Sequence, residues 1–216
     1  MKDAKFAKFV LLVNCLVPLA MLGYDASQHR LGSNPVEYLI RTTGMLALVF
    51  LILSLAITPA RKISGYNAFS HFRKMLGLCA FFYGLLHFAS YFIFDRSLSI
   101  KRTFADTLAR PFILLGMTAL LVMVPLALTS TTGMIKRLGA ARWKRLHRLA
   151  YMAGAAGALH YFLLVKADTR QPLVFAAVLT LLLGYRLVDG YLPSSRKGKP
   201  IVARPTPEVV RSESQA

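Results

Sequence analysis

The chain has 216 residues, 56% of them hydrophobic, and a mean hydropathy of +0.51. It is more apolar than a soluble domain, where roughly 45–50% is usual, so most of it belongs in lipid. The formal charge of +18 does not call for nucleic acid, because the Lys and Arg residues fall in short clusters between long apolar runs rather than along one surface.

A helix needs roughly 20 mainly apolar residues to cross the hydrocarbon core, and the sequence predicts six such spans. The first runs from about Phe6 to Tyr24 and reads as a retained helix, because no small-residue cleavage site follows it. The second runs from about Tyr38 to Thr58, where Pro59 is expected to stop it, and the third from about Met75 to Phe94. Pro111 suits the first turn of the fourth, which reaches about Leu128 and contains Pro125, a natural kink. The fifth covers about Leu149 to Val165. The sixth, about Leu173 to Leu192, has to accommodate Arg186 and Asp189. Beyond it, residues 193–216 are polar, basic and proline-rich, and a disordered tail is expected there.

Basic residues mark the cytoplasmic side of a membrane protein. Lys2, Lys5 and Lys8 lie on one side of the predicted spans, with Arg61, Lys62, Arg73 and Lys74, the cluster Lys136 to Arg148, and everything from Arg186 onward. The other side holds Arg30, Arg41, Arg96, Lys101, Arg102, Arg110, Lys166 and Arg170, a minority of the 27. The predicted fold is therefore an all-α, polytopic bundle of six transmembrane helices over residues 1–192, with both termini cytoplasmic. Anionic lipid accounts for the clusters. Cys15 and Cys79 lie in apolar runs without CxxC spacing and read as packing residues.

Two of the five histidines fall inside spans, where an ionisable side chain is costly and points to function. His87 lies 13 residues after Lys74 and eight before Asp95, about 20 Å and 12 Å along a helix; His160 lies 12 after Arg148 and six before Lys166, about 18 Å and 9 Å. Both spans run from inside to outside, so the two imidazoles share a height in the outer half of the membrane. Facing imidazoles at one level are a ligand pair for one haem iron. Gly84 and Gly157 each precede a histidine by three residues, on nearly the same helix face, where a missing side chain leaves room for a flat macrocycle. The competing reading has the glycines packing helices and the histidines bonding across them.

His147 begins the fifth span at the basic side, beside Trp143. It is a candidate for a second, inner haem or an interfacial residue. On a continuous helix its side chain would point about 220° away from that of His160, which argues against a simple stack. His29 and His71 read as loop residues. The stretch Thr129 to Gly133, followed by Lys136 and Arg137, offers hydroxyls and cations for a flavin phosphate, or else helix caps and turns. Arg41 and Arg110 near the outer surface are candidates for haem propionates, or interface anchors. No dinucleotide, phosphate-loop, HExxH or GxSxG motif is present, so a haem here draws its electrons from another molecule. A proton-coupled transporter with a histidine relay is the alternative of a different class, though the sequence shows no internal repeat.

Several stretches taken together resemble the MsrQ (YedZ) family within the ferric-reductase-like transmembrane group. They are Ile57-Thr58-Pro59, Leu76-Gly77-Leu78, Leu86 to Tyr91, Arg110-Pro111-Phe112, Leu128 to Thr131, Arg142-Trp143 with Leu146-His147, His160-Tyr161 with Val165-Lys166, and Gln171-Pro172-Leu173. The likeness covers about residues 10 to 190. It implies that His87, His160 and His147 are haem-linked, that the haem is of b type, and that FMN is a second cofactor. It also implies a quinol or reduced-flavin electron donor, a bacterial inner-membrane location, and a periplasmic molybdopterin partner, MsrP, that reduces methionine sulfoxide in oxidised proteins.

Overall fold

The computed structural model describes residues 2–66 and 69–191, without the side chains of residues 2–5, 70, 71, 190 and 191. Nine helices and no strand occur among them. They are α1 (Lys2–Ser27), α2 (Pro35–Ser64), α3 (Ser70–Ser90), α4 (Ile100–Ala109), α5 (Pro111–Leu128), α6 (Thr132–Leu138), α7 (Ala140–Leu146), α8 (Leu149–Leu164) and α9 (Arg170–Tyr191). The predicted tail and the side chain of His71 lie outside the described residues.

Among the described residues, five helices are long and apolar enough to cross a membrane: those containing Phe6–Ser27, Pro35–Ser64, Phe72–Asp95, Pro111–Leu128 and Arg170–Asp189. The chain is thus a polytopic helical membrane protein. The remaining predicted span, α8, has 16 residues, about 24 Å at 1.5 Å each, shorter than a core of about 30 Å.

Short connections make neighbours antiparallel. α2 packs along α3 and α5 along α8; α9 leans on α8 and α2, and α1 touches α3 from outside. The core holds Phe50, Leu51, Leu76, Ala80, Tyr83 and Met123, with Phe50 and Tyr83 stacked at 5.3 Å. Ala153, Gly154, Ala156 and Ala158 are buried on α8, the small-residue surface by which helices approach closely in lipid. Cys15 and Cys79 are buried in the same cluster, and the Tyr83 hydroxyl donates to the Cys15 carbonyl at 2.7 Å, fastening α1 to α3.

One expectation fails. Pro59 does not end the second helix. α2 continues to Ser64 and stops at Gly65, whose φ of 73° suits glycine and whose N–H bonds the Arg61 carbonyl. Proline removes one intrahelical donor, the one that would serve the Leu55 carbonyl four residues back. Nη2 of Arg186 donates to that carbonyl instead, at 3.2 Å, so the arginine that looked awkward in the last span repairs the proline in the second. Asp189 finds its partner on α2 as well, in Lys62.

Between α3 and α5 the chain adds α4, a helix over residues for which the sequence reading proposed no element. Ile100, Phe104 and Leu108 form an exposed stripe on it, while Thr103 is buried on the other side. After α3 the backbone takes one wide π-type turn, Tyr91–Asp95. Asp106 on α4 accepts from the Tyr91 hydroxyl at 2.9 Å and pairs with Arg96 at 3.1 Å and Arg110 at 3.3 Å.

Candidate functional site

His87 and His160 meet. Their ring centres are 5.9 Å apart with planes at 77°, near the ends of α3 and α8 that lie opposite the basic loops. The arrangement around each ring is the same. Nδ1 of His87 lies 2.8 Å from the Ile40 carbonyl on α2, and Nδ1 of His160 lies 2.6 Å from the Phe112 carbonyl on α5. A carbonyl only accepts, so each Nδ1 carries the proton and donates it, which leaves Nε2 of a neutral ring with its lone pair free.

A helical carbonyl already takes the N–H four residues on, and the side chain at that position leans back over it. Four residues after Ile40 and Phe112 stand Gly44 and Gly116. A Cβ would come within 2.8 Å of the His87 ring at Gly44 and 2.9 Å of the His160 ring at Gly116. These two glycines expose the carbonyls that the imidazoles use. Sequence reasoning missed them, because each sits on the helix facing the histidine, where only the pairing of helices brings it into view. Gly84 and Gly157 face other helices: a Cβ there would meet Leu120 and Leu48 respectively, each at an ordinary 3.6 Å.

The donor set suits a haem. No group of three or more His, Cys, Asp or Glu side chains that could hold a bare metal ion occurs among the described residues, whereas a porphyrin brings its own four nitrogens and needs only axial ligands. Metal-ligating histidines usually donate the other ring N–H to a carbonyl or carboxylate, as both do here. Two imidazoles, each about 2 Å from one metal ion, would have ring centres roughly 6 Å apart.

His147 lies elsewhere. α7 ends on it and α8 starts two residues later, so the continuous-helix angle from His160 does not apply. Its Nε2 is 3.2 Å from the Thr129 hydroxyl, and its ring stacks on Trp143 at 4.0 Å. Burial, and then the charge of Arg73, hold its pKa below the ordinary imidazole value, which keeps the ring neutral. It borders a cavity of about 220 Å³ between α2, α3, α5 and α7, with Arg73 and Lys74 among the residues that line it.

The hydroxyls of Thr129–Thr131 are spent locally. Thr129 bonds the Pro125 carbonyl and Ser130 the Leu126 carbonyl, and Thr131 caps α6. Trp143 Nε1 donates to the Thr129 carbonyl at 2.9 Å. Arg110 is held by Asp106, Arg41 pairs with Glu37 on the surface, and His29 lies in the loop after α1.

Residues 43–158 match the family model described as ferric reductase like transmembrane component. A protein of Rhodospirillum rubrum named protein-methionine-sulfoxide reductase heme-binding subunit MsrQ is 47% identical over 85% of this chain and 88% of its own. Proteins of the same name from Deinococcus radiodurans (48% identical over 77% of this chain and 82% of its own) and Xanthomonas euvesicatoria (39% over 92% and 95%) agree. The chain, a multi-pass protein of the bacterial inner membrane, therefore belongs to the MsrQ family of ferric-reductase-like transmembrane proteins.

Proposed function

We propose that this chain is the membrane electron-transfer subunit of a protein-methionine-sulfoxide reductase system, with a haem b held between His87 and His160. The observation that carries this is the matched pair of imidazoles, each with Nδ1 fixed on the carbonyl of the neighbouring helix and Nε2 free. The names of the relatives, heme-binding subunits, support it. A bound haem supplies a one-electron iron couple. The chain's own residues do the rest: Ile40 and Phe112 fix the tautomer and aim of each ring, Gly44 and Gly116 make the approach possible, and α2, α3, α5 and α8 exclude water.

In this reading α8 is a sixth span, both termini are cytoplasmic, and His87 and His160 lie toward the periplasm. Electrons enter from the quinone pool, or from a reduced flavin, at the basic end, where His147 is a further haem-linked candidate and FMN is the second cofactor. They leave to a periplasmic molybdopterin partner, MsrP, which performs the reduction of methionine sulfoxide itself. Gly84, Gly157 and Arg110 remain candidates for lining the haem, with Arg110 first needing release from Asp106.

A visible spectrum of the purified protein tests this. A Soret band and a reduced b-type α-band are expected, both lost in His87→Ala and in His160→Ala. A colourless protein, or full haem retention in either variant, would overturn the pairing.

A further inference from the structure

We infer that α4 is an interfacial anchor: it lies along the bilayer surface with Ile100, Phe104 and Leu108 among the acyl chains and Lys101 at the level of the lipid phosphates. Three observations lead there. The first is connectivity. One spanning segment ends at Asp95 and the next begins at Pro111, which leaves residues 96–99 before α4 and Arg110 after it. The lead-in is folded tightly, with Ser97 and Leu98 both at left-handed φ, 50° and 59°, and the Leu98 N–H bonded to the Phe92 carbonyl at 2.9 Å. α4 itself has 10 residues, about 15 Å at 1.5 Å each. A helix this short, tied at both ends to spans, stays at headgroup level.

The second is the order of side chains around the helix. At about 100° per residue, Ile100, Phe104 and Leu108 share an arc of about 80°, and they are 77%, 65% and 67% exposed. Thr103 is buried, and Asp106 turns inward to Tyr91, Arg96 and Arg110. The polar side chains thus face the protein and the apolar ones face out. In water that order is inverted; against acyl chains it is the stable one. The spans on either side expose Phe94 and Leu114 near their ends, so lipid reaches both flanks of α4.

The third is charge. Arg96 is held by Asp95 and Asp106, and Arg110 by Asp106. Lys101 and Arg102 are exposed and have no ion-pair partner among the described residues. Lys101 borders the apolar stripe, from which its stem can snorkel to a phosphate. Arg102, about 160° from the middle of the stripe, faces water. Through Asp106 the seat of α4 is passed to the Tyr91 hydroxyl, four residues beyond His87, so the anchor steadies the end of α3 that carries the histidine.

The inference does not rest on the haem reading. The test uses the full chain, at matched haem content, in nanodiscs of phosphatidylcholine or of phosphatidylcholine brominated high on its acyl chains, with the emission of the unsubstituted chain subtracted as the Trp143 background. The emission added by Phe104→Trp is expected to be quenched at least ~2-fold by brominated lipid and shielded from iodide, and that added by Arg102→Trp to behave the opposite way. Leu108→Trp carries the test if Phe104→Trp fails to fold. Emission from the stripe that yields to iodide and not to bromine would put the stripe in water, and emission that yields to neither would put it under protein. Equal quenching of Arg102→Trp by bromine would mean that α4 has no water face. Each of these three results overturns the inference, while the Soret band of each sample reports haem binding separately.

Discussion

Gly116 is the residue that lets His160 reach α5: a Cβ there would stand 2.9 Å from Nδ1 of the imidazole. Gly44 stands in the same relation to His87, at 2.8 Å. Gly44→Ala and Gly116→Ala are expected to push each ring off its carbonyl, at an overpacking cost of about 1–3 kcal/mol, and to lower the haem-to-protein ratio. Gly84→Ala and Gly157→Ala, where the new methyl meets ordinary contacts with Leu120 and Leu48, should lower that ratio less. Equal loss in all four would place the macrocycle against Gly84 and Gly157 instead.

Asp106 gathers Tyr91, Arg96 and Arg110 while its own side chain is only 13% exposed. Asp106→Asn leaves Arg110 without its carboxylate and Arg96 with Asp95 alone, and should cost about 1–3 kcal/mol, read as a fall in thermal midpoint. Glu37→Gln, which breaks the exposed pair with Arg41, should change the midpoint by less than about 1 kcal/mol equivalent.

Tyr83→Phe removes the bond to the Cys15 carbonyl with little change of shape. A loss of about 0.5–1.5 kcal/mol is expected. Maleimide should then label Cys15, 1% exposed in the intact protein, faster than before. Unchanged labelling would mean that α1 is held by its other contacts with α3.

Trp143, the chain's single tryptophan, is a built-in probe of His147. Because the folded pKa of His147 lies below its ordinary 6.5, the neutral ring is the favoured form. Its contribution to stability is present above pH 6.5 and is lost as pH falls through the lowered value. At constant haem content, Trp143 emission should fall with a midpoint below 6.5 as the stacked imidazole gains its proton. Arg73→Gln should raise that midpoint, since it removes a repelling charge; a midpoint that stays put would separate Arg73 from His147.

The membrane class, the long spans and the pairing of His87 with His160 were legible in the sequence, because apolar runs and depth along a helix are one-dimensional quantities. Contacts between helices were not. Gly44 and Gly116 reach their histidines across more than forty residues of chain, and Arg186 meets Leu55 across 131. Pro59 looked like a stop because the arginine that replaces its missing donor stands on α9, seven helices later. α4 was legible in principle from Ile100, Phe104 and Leu108 at intervals of four, but its charged residues keep it outside a search for apolar spans. His147 was judged on an ideal helix that the chain breaks beside it.

Each imidazole is oriented by the helix that precedes it in its own antiparallel pair, α2 for His87 and α5 for His160. Helices in a bilayer insert first and associate afterwards, so a newly inserted α2–α3 pair already carries a correctly turned ring while the rest of the chain is still being made. The second pair arrives equally prepared. Assembly then has only to bring two finished halves together, and a flat ligand caught between them would act as the clasp that registers their meeting.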